Sequence, residues 1–125
     1  MTLIAIRSAK LSPPVGPFSQ AVRTGDLIFF SGQVGLDASG KLVDGGVAAE
    51  AEQVFANLAA VLDAAGRSFT DVIRVGVFLT EISDFAALNA VYARHFTEPY
   101  PARTTVAVAA LPLGASVEID MVVKG

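Results

Sequence analysis

Residues 71–96 read "DVIRVGVFLTEISDFAALNAVYARHF", and the spacing of the apolar side chains changes period within them. The first twelve form a nearly continuous apolar run with β-branched residues, which predicts a strand buried on both faces. From Ser83 the spacing becomes helical, with Phe85, Leu88, Tyr92 and Phe96 in line and Ser83 or Asp84 as the cap. The "EPYP" at 98–101 then breaks that helix. A buried strand leading directly into an amphipathic helix points to a mixed α and β architecture.

The flanks extend this pattern in both directions. Upstream, Val47, Ala51, Val54, Phe55, Leu58, Val61 and Leu62 fall on one helical face, and Gly66 supplies a natural stop. Before that helix, "GDLIFFSGQVG" carries a β-rich run from Leu27 to Phe30, closed by Ser31 and Gly32. Downstream, Thr104–Ala110 and Ser116–Lys124 read as two strands joined through "LPLG". The order strands, helix, strand, helix, strands predicts one α+β domain over residues 1–125, with both helices packed on one face of a mixed sheet. No linker, internal repeat or low-complexity tract interrupts it.

Composition narrows the function. The 125 residues are 53% hydrophobic and 17% charged, enough apolar content for a core and for a subunit interface. A net charge of −3 with no basic run argues against a nucleic-acid binder. There is no cysteine and one histidine, which excludes disulfides, thiolate nucleophiles and a multi-histidine metal site within one chain. "MTLIAIRSAKLSPP" is too short an apolar run for a secretory signal, and no stretch approaches a membrane span. A soluble cytoplasmic protein without a metal is the expectation.

Three candidate sites follow. "GLDASGKL" at 35–42 nearly spells a phosphate-binding loop, but Leu42 replaces the magnesium-binding hydroxyl and no helix starts after Lys41. It reads as a hairpin-like turn. His95, near the end of the second helix, reads as structural. Arg103 is different. Alternation puts Arg103, Thr105, Ala107 and Ala109 on one face of their strand, and Glu118, Asp120, Val122 and Lys124 on the polar face of the last. One reading makes these charges the wet side of the sheet. The other makes Arg103 a two-pronged carboxylate clamp and Glu118 a proton shuttle for water, in a sheet face that doubles as a subunit interface.

Five segments, in order, resemble the reactive-intermediate deaminase family, the Rid or YjgF proteins. They are "GPFSQAV" (16–22), "SGQ" (31–33), "DFAALNAVYARHF" (84–96), "YPARTTV" (100–106) and "VEID" (117–120). The resemblance implies a chorismate-mutase-like α+β fold and a homotrimer with active sites in the clefts between subunits. It also implies cofactor-independent hydrolysis of enamines and imines, such as 2-aminoacrylate and 2-iminobutanoate, to 2-keto acids and ammonia. Arg103 matches the family's carboxylate clamp and Glu118 the glutamate that activates or positions water. Ser31, Gly32, Asn89 and Thr105 match residues that line or shape the pocket. Phe18 stands where many members carry tyrosine, and Thr105 where many carry cysteine. A non-catalytic trimeric module that binds small carboxylates or acts as a chaperone is the competing expectation. A deaminase for a different imine, from pyrimidine or aromatic degradation, is a third.

Overall fold

The computed structural model describes residues 2–125. Six strands, β1 (Ile4–Ile6), β2 (Ala21–Thr24), β3 (Leu27–Gln33), β4 (Val72–Leu79), β5 (Ala102–Ala107) and β6 (Val117–Lys124), form one sheet in the order β1-β2-β3-β6-β4-β5. Two helices, α1 (Gly46–Ala64) and α2 (Phe85–Tyr92), accompany it. All neighbouring strands run antiparallel except β4 and β5, which are parallel and connected through α2. The mixed α+β architecture expected from the change of period is the one observed.

Helix α1 follows its apolar stripe. Ala51, Val54, Phe55, Leu58, Val61 and Leu62 are buried on one side. It ends at the expected glycine: Gly66 adopts a φ of +70°, and the N–H groups of Gly66 and Arg67 donate to the carbonyls of Asp63 and Leu62. These two bonds satisfy carbonyls that the last turn leaves free. α2 is shorter than its apolar spacing suggests, stopping at Tyr92, although Phe96 beyond it remains buried.

The core lies between the helices and one face of the sheet. Val117, Ile119, Met121 and Val123 of β6 meet Val75, Val77 and Leu79 of β4 and Ile28 and Phe30 of β3 there, all nearly inaccessible. Among the described residues no layer covers the opposite face. Phe29 and Val106 are 43% and 39% exposed on it. This corrects the expectation that β4 is buried on both sides. Its helix side is buried, while Arg74 on the other side is exposed and Phe78 half-buried. β1 and β2, short and without a clear alternation, are absent from the sequence reading.

Between Phe30 and Gln33 the ladder slips. Phe30 pairs with Met121 but Gln33 pairs with Ile119, so β3 carries one more residue than β6 over this interval. Such a bulge re-aims the side chains next to it. The "GLDASGKL" segment is a turn, as expected: Leu36 and Leu42 bridge antiparallel across it, and Asp37 Oδ1 accepts from the backbone N–H groups of Ser39 and Lys41. The Ser39 hydroxyl and then the Lys41 N–H hold the Asp37 carboxyl below its ordinary range.

Candidate active site in two halves

Strand pairing decides where the two charged candidates point. Arg103 pairs with Val75 and Thr105 with Val77, and both valines face the core, so Arg103 and Thr105 lie on the helix side of the sheet. Glu118 pairs with Phe78, and Asp120 with Gly76, on the open side. Within one chain the two are therefore not brought together. The seven predicted site residues divide into two groups, one on each side.

The first group surrounds Arg103. Its Nε donates to Thr105 Oγ1 at 2.8 Å and its Nη2 to Asn89 Oδ1 at 2.6 Å. Its Cζ sits 4.5 Å from the Tyr92 ring centroid and 5.5 Å from that of Phe85. Phe85, Asn89 and Tyr92 are spaced by four and three residues, which places them on one face of α2. All these partners are uncharged. The ion pairs among the described residues join Glu52 to Arg94 and to His95, and none involves Arg103. A half-buried cation fixed by neutral groups keeps its charge available to an incoming anion. Burial pushes the Tyr92 hydroxyl above its ordinary pKa, with the positive charge of Arg103 acting against it.

The second group surrounds Glu118. Phe18, Ser31, Gly32 and Glu118 line a groove of about 350 Å³ together with Val15 and Leu113. The segment carrying Phe18 is tied down on both sides. Gln20, buried, accepts from the Ser8 N–H at 2.7 Å, and the Ser31 hydroxyl donates to the Ser19 carbonyl at 2.6 Å. Gly32 is required by close approach: a Cβ there would stand 2.5 Å from Glu118 Oε2. Gly76 likewise seats the Asp120 carboxylate. Desolvation, and next the charge of Asp120, push the Glu118 carboxyl above its ordinary pKa. A carboxyl raised in this way exchanges protons closer to neutrality, as a general acid or base must.

Two further residues shape the same region. Buried Glu50 accepts from the Ser116 N–H at 2.7 Å, fixing the start of β6 one turn of the pleat from Glu118. Buried Asn57 donates to the Leu36 carbonyl at 3.0 Å. The sequence reading missed Tyr92 as a neighbour of Arg103, placing it only on the helical spacing of Phe85, Leu88 and Phe96; the shared helical face with Asn89 was the available signal. It also missed Val15 and Leu113. His95 stacks on Phe55, with centroids 4.4 Å apart, consistent with a structural part. Among the described residues no cluster of three or more His, Asp or Glu side chains converges, and no helix is long and apolar enough to cross a membrane.

Comparison with known proteins follows the same lines. A family model described as endoribonuclease L-PSP matches residues 9–124. The 2-iminobutanoate/2-iminopropanoate deaminase of Capra hircus is 48% identical over 118 residues, covering 94% of this chain and 86% of that protein. Protein DfrA of Myxococcus xanthus is 50% identical over 121 residues, covering 94% of this chain and 92% of DfrA. The crystal structure of RidA from an Antarctic Psychrobacter has a TM-score of 0.93 and 46% identity, covering 98% of this chain and 99% of that one. With its sequence matched from Ala9 to Lys124 and its fold matched throughout, the chain belongs to the endoribonuclease L-PSP family, the Rid or YjgF proteins.

Proposed function

We propose that this protein hydrolyses reactive 2-imino and 2-enamino acids to 2-keto acids and ammonia, without a cofactor, in clefts between the subunits of a cytoplasmic homotrimer. The observation that carries the reading is the state of Arg103, a guanidinium aligned by Asn89 and Thr105 with no acidic partner among the described residues. It suits a small carboxylate. The names of the deaminase relatives, 48% identical for that of Capra hircus and 46% for the human protein, support the same chemistry. The net charge of −3 gives an RNA phosphate backbone little to bind.

In this mechanism Arg103 holds the substrate carboxylate by paired charge-assisted hydrogen bonds. Water adds to the imine carbon while Glu118 takes its proton, and the nitrogen receives that proton. The carbinolamine then collapses: its hydroxyl proton passes to the nitrogen by way of Glu118, the C–N bond breaks, ammonia leaves, and the carbonyl of the keto acid forms. One water is consumed for each ammonia released. Asn89 and Thr105 orient the clamp, and Ser31, Gly32 and Phe18 shape the opposite wall. Because Arg103 and Glu118 lie on opposite sides of one sheet, the reading assigns each cleft an arginine half from one subunit and a glutamate half from its neighbour. The uncovered sheet face with Phe29 and Val106 is the apolar surface available for that assembly.

A coupled assay tests this directly. A serine or threonine dehydratase generates the enamine, and keto-acid release is followed with and without the protein. Wild type is expected to accelerate release and Arg103→Ala to give the uncatalysed rate. Failure of wild type to accelerate it defeats the reading.

A further inference from the structure

Two hydrogen bonds do not by themselves fix a guanidinium. With Arg103 Nε on Thr105 Oγ1 and Nη2 on Asn89 Oδ1, the plane can still tilt about the line that joins those two donors. A third support is needed, and a carboxylate in that place would neutralise the charge. An aromatic face holds a cation through its quadrupole and brings no net charge of its own.

Tyr92 supplies that face. Its ring centroid lies 4.5 Å from Arg103 Cζ, and that of Phe85, on the same helix face, lies at 5.5 Å. Both are within reach of a cation–π contact. The Tyr92 ring cannot give way. It is 7% exposed, and it is braced by Phe96 at 4.5 Å and edge-on by Phe55 at 6.0 Å between centroids. Phe55 is backed in turn by the stacked ring of His95. Phe96, buried beyond the end of α2, thus has a part to play in the clamp. The Tyr92 hydroxyl, by contrast, is buried without a hydrogen-bond partner among the described residues, so the ring is the part of this side chain in use.

The same bonds settle which edge of Arg103 is free. With Nε taken by Thr105, the side fork of the guanidinium has lost one prong. The edge that can still offer two is the Nη1–Nη2 end. Such a fork grips a carboxylate lying in the guanidinium plane, so a plane that tilts misses its ligand.

We infer that Tyr92, with Phe85 beside it, is a positioning residue for carboxylate binding: the ring holds the Arg103 guanidinium flat, so that its Nη1–Nη2 edge meets the ligand in plane. This rests on the reading of Arg103 as the substrate clamp. A carboxylate remote from the reacting bond is held alike before and during the chemical step. Loss of the ring therefore weakens binding and leaves that step alone.

The test separates binding from turnover. Calorimetry measures binding of pyruvate, whose carboxylate adjoins a planar carbon as in the imine, and the coupled assay gives kcat and KM. Both are applied to wild type, Tyr92→Leu, Tyr92→Phe and Phe85→Ala. Tyr92→Leu is expected to raise Kd and KM about tenfold, with kcat within about twofold. Phe85→Ala, at the longer distance, raises them about two- to threefold. Tyr92→Phe keeps the ring and brings both back to within about twofold of wild type. An equal loss in Tyr92→Phe and Tyr92→Leu overturns the inference, because the hydroxyl then carries the effect. An unchanged Kd in folded Tyr92→Leu also overturns it, as does a loss confined to kcat. If Tyr92→Leu fails to fold, Phe85→Ala decides: its ring is 42% exposed, and an unchanged Kd there overturns the inference. Pyruvate binding that follows this series without turnover by wild type removes the hydrolase reading and keeps the role of the ring. Absence of both binding and turnover in wild type removes both.

Discussion

Asn89 on α2 accepts a hydrogen bond from Arg103 on β5 at 2.6 Å, and it does so with an amide where a carboxylate would bind the cation more tightly. This choice of a neutral partner leaves Arg103 without an acidic partner among the described residues.

Replacing that amide by a carboxylate should close the clamp. In Asn89→Asp an internal anion competes with the substrate carboxylate for the same guanidinium, and a hydrogen-bonded charge pair contributes about 1.5–3 kcal/mol. Turnover of imines at low substrate is expected to fall about 10- to 100-fold, with unchanged or raised Tm. Full activity in Asn89→Asp would contradict the role given to Arg103.

Gly32 offers a test of the other half. The new methyl of Gly32→Ala would meet Glu118 Oε2 at 2.5 Å and Cδ at 2.8 Å. The atoms that must move belong to the end of a flexible side chain, so the fold accommodates the change while the carboxylate shifts. Activity should drop about 10- to 100-fold, as expected for a misplacement near 1 Å, with little change in Tm. Loss of folding alongside activity would place the constraint in the backbone instead.

The pH dependence of stability follows from Glu118. Its carboxyl is raised by burial and by Asp120, so the folded state holds the proton more tightly than the unfolded state. When Glu118 is ionised this opposes folding. The penalty is complete above the folded pKa and disappears below the ordinary carboxyl range, where both states are protonated. Glu118→Gln should therefore raise stability at pH 7.5 by on the order of 0.5 kcal/mol and by much less at pH 4. Urea midpoints at the two pH values, at one protein concentration, check the sign.

Mixing variants probes the shared cleft. Arg103→Ala and Glu118→Gln are each expected to be inactive alone. If each cleft draws its arginine and its glutamate from different chains, subunit exchange between the two restores about a quarter of wild-type activity, the share of clefts that inherit both intact halves in a random trimer. No recovery after verified exchange would assign both residues to one chain's site.

Much of this was legible in the sequence because it is local. The stripe of α1, its stop at Gly66 and the alternation along β6 depend only on residue period and on glycine at a positive φ. The relative placement of Arg103 and Glu118 was not. Alternation says that each residue faces one side of its own strand, but it carries no information on which strands are neighbours. The parallel pairing of β5 with β4, and the antiparallel pairing of β4 with β6, send Arg103 toward Tyr92 and Glu118 away from it. β1 and β2 were invisible because three or four residues are too few to display a period. The exposed side of β4 was misread because a continuous apolar run looks the same whether a second layer belongs to the same chain or to none.

The slip in β3 has a consequence for what can be deleted. Ser31 and Gly32 together occupy the interval opposite Asp120, between the pairs Phe30 with Met121 and Gln33 with Ile119. Removing Gly32 would leave one residue facing one residue along the whole length and preserve both flanking pairs. The shortened chain would have the more regular sheet, and Glu118 would lose the gap into which it folds. Regularity of the sheet and room for the Glu118 carboxylate thus compete for a single glycine.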